Sequence, residues 1–335
     1  MNILETILRQ AQLQLKTIVL AEGEDIRVIK AAVRATDDGI ANCILVGNEA
    51  NIKREAAIQQ LSLSNIRIED PQTSKQSDAY AKTLLALREK KGMKINVARK
   101  LVKDPLHFAD LMLQVGDADG SIAGARYSTG DRVRSALQII GIAPGFKTVS
   151  SFFLMLFEAS HHNPKRAMIF SDCAMVVDPT AEQLAEIALA AAENMTHFFD
   201  IQARVAMLSF STNGSAKHPS VDKVRAATKL LKQHNPALSV DGDIQLDAAI
   251  VPSVAAQKAP DSNNKGDANV LIFPDLNAAN IGYKIAQRLG GAEAIGPIMQ
   301  GLNKPANDLS RGCCSNDVYY LIALTAVQSQ ESDKT

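Results

Sequence analysis

Short runs of aliphatic and β-branched residues alternate with longer stretches of helical periodicity along most of the chain, and this rhythm restricts the possible folds more than any other feature. "KTIVLAEGED" precedes "IRVIKAAVRATDDG", and "ANCILVGN" precedes "EANIKREAAIQQL". Further on, "KRAMIFSD" leads to "TAEQLAEIALAAAENM", "ARVAMLSFS" to "SVDKVRAATKLLKQH", and "ANVLIFPD" to "LNAANIGYKIAQRLGG". Parallel strands need a crossover, usually a helix, so the pattern predicts mainly parallel sheets covered by helices on both faces. The rhythm breaks between Ser77 and Gly116, where helical periodicity is continuous and predicts a helical insertion.

At 335 residues the chain exceeds the length at which one hydrophobic core usually keeps growing. Pro144 and Gly145 break it before the apolar run "VSSFFLMLF" and mark a crossing between domains. The expected architecture is therefore α/β with two domains, each a mainly parallel sheet flanked by helices, and an active-site cleft between them. The first domain is discontinuous, spanning 1–144 plus 297–335, and the second spans 145–296. Ligands of open α/β sheets bind beyond the carboxyl ends of the strands, where the polar turns of this sequence fall.

Composition removes several classes of function. Acidic and basic residues balance at 36 each, so no overall field draws the protein to nucleic acid or to an anionic membrane. Aromatic residues are 4% with no tryptophan, which disfavours base-stacking platforms. The opening "MNILETILRQAQ" has the periodicity of an amphipathic helix, with Glu5 and Arg9 four apart, and lacks the apolar run of a signal peptide. A cytoplasmic location is expected. Cys43, Cys173, Cys313 and Cys314 form no CxxC pair, and the histidines form no HExxH, so reduced thiols and no metal are expected. Asp241, Asp243 and Asp247 are spaced unlike an EF-hand loop.

Four polar segments could carry chemistry. In "KPANDLSRGCCSND", an arginine, a hydroxyl and a carboxylate held together (Arg311, Ser310, Asp317) could bind an anion, orient a carbonyl and remove a proton. A contact between Arg311 and Asp317 would favour the ionised carboxylate. A helix cap with its salt bridge has the same letters. In "SFSTNGSAKHP", Ser211, Thr212, Gly214 and Ser215 follow a strand and precede a helix, as in an anion cradle; a Ser/Thr-rich turn capped by Ser220 accounts for them equally. "DADGSIAGARYSTGDRVRS" places Ser128 and Thr129 in a turn before Arg132 and Arg134. Arginines at a helix start oppose the macrodipole unless an anion is near, and Arg132 reads as the more solvated of the two. Arg88 lies at a basic helix end, where a cation is favoured in any case. Asp178, before Pro179 and Thr180, reads as part of a helix start. No Walker loop or dinucleotide fingerprint is present, which counts against a nucleotide enzyme or a hydroxy-acid dehydrogenase.

From about Lys16 to Gln328 the sequence resembles the phosphate acetyltransferases, in the short form of the phosphate acetyl/butyryltransferase family. The resemblance rests on "DGSIAGARYST", "SFSTNGSA", "DGDIQLDAA", "ANVLIFPDLNAANIGYKIAQRLGG" and "AIGPIMQGLNKPANDLSRG". It implies an acyltransferase that interconverts acetyl-CoA and inorganic phosphate with CoA and acetyl phosphate, CoA being a substrate rather than a bound cofactor. It also implies direct transfer in a ternary complex and a homodimer. By position it assigns Ser310, Arg311 and Asp317 to catalysis and Arg88 and Arg134 to substrate binding. The turns holding Ser128, Thr129, Ser211, Thr212, Gly214 and Ser215 would supply further donors to the substrates. Phosphate butyryltransferases share several of these motifs, so the resemblance leaves the acyl group open, and a CoA-binding protein without catalysis is the remaining alternative.

Overall fold

The structure is a computed structural model and describes residues 3–157 and 166–332. It divides into two compact units, Met1–Pro144 with Leu302–Thr335, and Gly145–Gly301. The first unit opens with α1 (Ile3–Leu13), β1 (Lys16–Leu20), α2 (Ile26–Asp37), β2 (Ala41–Val46), α3 (Glu49–Ile58) and β3 (Arg67–Glu69). Three helices, α4 (Ser77–Arg88), α5 (Ile95–Leu101) and α6 (Pro105–Val115), lead to β4 (Gly120–Ala123) and α7 (Thr129–Ile139). The second unit contains β5 (Ser150–Phe157), β6 (Arg166–Ser171), α8 (Ala181–Phe199), β7 (Arg204–Leu208), α9 (Pro219–His234) and β8 (Ser239–Ile244). It continues with α10 (Leu246–Ile250), α11 (Pro252–Lys258), β9 (Val270–Ile272), α12 (Leu276–Arg288) and β10 (Glu293–Gln300). The chain then returns to the first unit for β11 (Ala306–Asp308) and α13 (Ser315–Ser332). Position 297, the expected point of return, falls inside β10.

The first sheet has the order β11-β4-β1-β2-β3, with every pairing parallel. Ile18, Val19 and Leu20 of β1 are buried, as a strand covered on both faces requires. From β1 the chain steps one way to β2 and β3 and the other way to β4 and β11. The turns after β1 and β4 therefore flank the switch point where open α/β sheets take ligands. The second sheet has the order β10-β5-β6-β9-β7-β8; β6, β9, β7 and β8 run parallel, while β5 and β10 form an antiparallel edge.

Local chemistry sets the helix starts. Asp25, Asp104 and Ser128 cap α2, α6 and α7 through their side chains, and Thr180 forms a reciprocal capping box with Gln183 at α8. Pro105 opens α6, and Gly116 closes it in the left-handed conformation at φ 91°. One expectation changes here: the cap of α9 is His218, ahead of Pro219, rather than Ser220. Asp178 stands two residues before the cap Thr180, at the helix start the sequence marks, and pairs with Lys223 at 2.7 Å.

Arg132 reverses a second expectation. It is fully buried, whereas the Arg134 side chain is 66% exposed. Arg132 shares a helical face with Ser135, Ala136 and Ile139, all buried, and Arg134 points the other way. Burial of the Arg132 charge is matched by Asp110, itself fully buried, at 2.6 Å, and by bonds to the Asn307 carbonyl (3.0 Å) and the Ser121 hydroxyl (2.7 Å). Ser121 and Ser135 donate to the two oxygens of the same carboxylate. This network fixes α7 against α6, β4 and β11. No helix among the described residues is long and apolar enough to cross a membrane.

Candidate active site

In the first unit, three turns are bound together by charged groups. The Glu22 carboxylate, just after β1, accepts the backbone amides of Gly124, Ala125, Arg126 and Tyr127 at 2.9, 2.7, 2.6 and 2.8 Å. Successive amides turned toward one point form an anion-binding nest, and here the protein's own carboxylate fills it and fixes the turn after β4. Three residues on, Asp25 binds Arg27 through both carboxylate oxygens, at 3.0 and 2.9 Å. Burial works against its ionisation, but hydrogen bonds from Arg27 and Arg126 outweigh it and hold the carboxyl below the usual range.

Arg27 spends its remaining donors on backbone carbonyls: Ala125 at 3.0 Å, Arg311 at 2.9 Å and Cys313 at 3.0 Å. One guanidinium therefore clamps the turn after β1, the turn after β4 and the turn after β11. Beyond the ends of β1 and β2, a cavity of about 260 Å³ opens between Gly23, Glu24, Val46, Gly47, Pro105 and Tyr127.

The clamped run after β11 carries the sequence-predicted catalytic residues. Ser310 and Arg311 are exposed. The Ser310 hydroxyl accepts only the Gly312 amide, at 3.3 Å, among the described residues, so its proton is available. Asp317 lies in the first turn of α13, and its carboxylate accepts the Cys314 amide at 2.8 Å. The helix-cap reading of Asp317 is thus correct as far as it goes. The expected contact between Arg311 and Asp317 is not formed among the described residues, because the Arg311 side chain extends into solvent while Asp317 turns back onto its own helix start. Cys313 is buried beside Arg27, and burial pushes its thiol up to about 11, leaving little thiolate at neutral pH. Cys314 is exposed.

Of Ser128 and Thr129, only Thr129 reaches the same run, through Asp308. The Ser128 hydroxyl is committed to Asp131, the Asp131 amide bonding it at 3.2 Å and its own proton going to the carboxylate at 2.7 Å. The Thr129 hydroxyl donates to Asp308 Oδ2 at 2.9 Å. Gly124 makes this approach possible: at φ +114° its position would hold a Cβ against the Asp308 carboxylate and within 2.6 Å of the Leu309 backbone. Arg88, the last residue of α4, is half-buried, and Arg134 pairs with Asp131 at 2.9 Å. Neither guanidinium contacts the run from Asp308 to Asp317 among the described residues.

In the second unit, the Ser/Thr turn after β7 is largely closed on itself. Ser211 and Ser215 share a hydrogen bond at 3.3 Å, the Thr212 amide donates to Ser215 Oγ at 3.1 Å, and Thr212 Oγ1 accepts the Gln245 amide at 3.0 Å. Gly214, at φ +76°, donates its amide to Asp243 at 3.2 Å. The three aspartates here have separate tasks. Asp241 accepts Ser262, Asn263 and Asn264 and holds their loop; Asp243 accepts Gly214; Asp247 pairs with Lys258 at 2.7 Å.

Sequence reasoning missed Glu22, Arg27 and Asp308. For Glu22 and Arg27 the available signal was the position of "EGEDIR" directly after the first strand, where ligand-facing turns fall, and for Asp308 its place two residues before Ser310.

The chain matches the Phosphate acetyl/butaryl transferase family over residues 2–326. It is 47% identical to the phosphate acetyltransferase of Clostridium acetobutylicum over 330 residues, covering 98% of this chain and 99% of that one. Among solved structures it is similar to a phosphotransacetylase from Streptococcus pyogenes, with a TM-score of 0.92, 43% identity and 98% of each chain covered. The EutD phosphotransacetylase from Staphylococcus aureus gives a TM-score of 0.89 at 42% identity, again over 98% of each chain.

Proposed function

The chain belongs to the phosphate acetyl/butaryl transferase family, and from that premise we propose that it is a phosphate acetyltransferase, moving an acetyl group reversibly between CoA and phosphate. The observation that carries the reading at the site is the clamped run after β11, which presents an exposed hydroxyl, an exposed guanidinium and a carboxylate within eight residues, Ser310 to Asp317. CoA, acetyl phosphate and inorganic phosphate are the substrates, the protein works as a homodimer, and its place is the cytoplasm.

The reaction needs three services. A free thiol has a pKa near 8.5, so the CoA sulfur needs a base at neutral pH; Asp317 takes that proton. Attack of the thiolate on the acetyl carbonyl builds an oxyanion, which receives the Ser310 hydroxyl proton as a hydrogen bond while it forms. Collapse of the tetrahedral intermediate breaks the bond between carbonyl carbon and phosphate oxygen, and the departing phosphate is met by Arg311. Arg88, Arg134 and the turns holding Ser128, Thr129 and Ser211–Ser215 bind the substrates. Transfer is direct, a reading supported by Cys313, which is buried with its thiol held protonated and is a poor acyl carrier.

Acetyl-CoA formation from CoA and acetyl phosphate, repeated with butyryl phosphate, tests this reading. Acetyl phosphate is expected to be the better substrate by kcat/KM. Arg88→Ala and Arg134→Ala are expected to raise KM with little loss of stability, since charges open or partly open to solvent contribute little to folding. Preference for butyryl phosphate would replace the acetyl assignment, and unchanged kinetics in both variants would remove these arginines from the substrate site.

A further inference from the structure

We propose that Asp308 is a positioning residue that sets the direction in which the Thr129 hydroxyl bonds: as a carboxylate it captures the hydroxyl proton, and as a carboxylic acid it donates to Thr129 Oγ1 and releases that proton to an anion at the start of α7. The inference rests on the reading that Thr129 faces the phosphate-bearing substrate, and it adds the group that governs how well Thr129 does so.

The geometry is unusual for a charged aspartate. Asp308 is 1% exposed, at the carboxyl end of β11 and two residues before Ser310. Its Oδ2 accepts from Thr129, and its Oδ1 has no hydrogen-bond partner among the described residues. An ionised carboxylate can accept about four hydrogen bonds. The Thr129 hydroxyl and the nearby Leu309 amide are few donors for a buried charge, and the shortfall favours the neutral acid. From α7 the nearest cation is Arg132, whose guanidinium is already bound to Asp110, Ser121 and the Asn307 carbonyl. From the turn after β1, Glu22 adds a negative field. Burial, opposed by the Thr129 bond, by Arg132 and by the Leu309 amide, pushes the Asp308 carboxyl up to about 6.

Thr129 is half-buried at the first position of α7, where the helix dipole favours an anion. The amides of Thr129 and Gly130 meet no acceptor among the described residues. With Asp308 protonated, an anion at this point would receive these two amides and the Thr129 hydroxyl, and the carboxylate left at the helix start is that of Asp131, held by Ser128 and Arg134. With Asp308 ionised it would lose the hydroxyl and face a carboxylate. Binding of the anion above about pH 6 therefore draws one proton from solvent onto Asp308, and affinity falls as pH rises.

Sulfate, which stays a dianion across the range, is the probe, titrated by calorimetry at pH 5.5–8 into wild type, Asp308→Asn, Thr129→Val and Thr129→Ser. Wild type is expected to weaken at least about tenfold between pH 6 and 8, by proton linkage. Asp308→Asn, whose amide donates permanently to Thr129, is expected to bind at pH 8 as wild type does at pH 6, with a flat profile. Thr129→Val is expected to be weak and flat, and Thr129→Ser to keep the wild-type slope. Should Asp308→Asn fail to fold, the contrast between the two Thr129 variants decides. A flat wild-type profile, an unchanged slope in Asp308→Asn, or a wild-type slope in Thr129→Val overturns the proposal. Sulfate binding needs no turnover, so loss of the acetyltransferase reading in the enzyme assay would leave this result to stand on its own.

Discussion

Asp317→Asn is expected to lower kcat at pH 7 by about 10²–10⁴-fold, the usual cost of removing a general base. The substitution keeps the shape of the side chain, and the amide oxygen can still accept the Cys314 amide at the start of α13, so the fold is expected to persist. The deficit is expected to shrink above pH 8.5, where solvent deprotonates the CoA thiol without help. The pH profile separates the two roles the site allows for this residue. A helix cap alone, which the amide preserves, would leave kcat near normal at every pH. A base would alter kcat and leave the melting temperature nearly unchanged.

Arg132→Met is expected to destabilise the protein by about 3–5 kcal/mol, the range found when one partner of a buried ion pair is removed. The loss would come from Asp110, left fully buried with its charge facing only Ser121 and Ser135. Urea unfolding followed by circular dichroism measures it. Adding Asp110→Leu to the same variant is expected to recover part of the loss, because replacing both charges leaves no isolated one behind. A change below about 1 kcal/mol in the single variant would show that the network is not the anchor of α7 described above.

The two outcomes for Arg132 and Asp317 also mark what was legible in the sequence. The strands were legible because parallel strands are buried on both faces and read as continuous apolar runs, as "KTIVL" and "ANCILV" do. Ser310, Arg311 and Asp317 stood out as candidates because they fall within eight residues of one another. Arg132 was misread from its distance to the helix start, although its spacing to Ser135, Ala136 and Ile139 places it on the buried face. Glu22 was invisible for a different reason: its four partners are backbone amides about a hundred positions away, and an amide has no letter in the sequence. The isolation of Asp308 Oδ1 likewise depends on the parallel pairing of β11 with β4, which brings Gly124 against it. The hydroxyl-rich turn after β7 was legible as a polar turn, but the inward direction of its hydrogen bonds was not.

Initial rates of acetyl-CoA formation, with CoA and acetyl phosphate varied against each other, test the central claim of direct acetyl transfer most directly. The account predicts double-reciprocal lines that intersect, with no acetyl group retained by the protein when it is quenched during turnover. Parallel lines, together with an acetyl group recovered on Cys313 or Cys314, would contradict it.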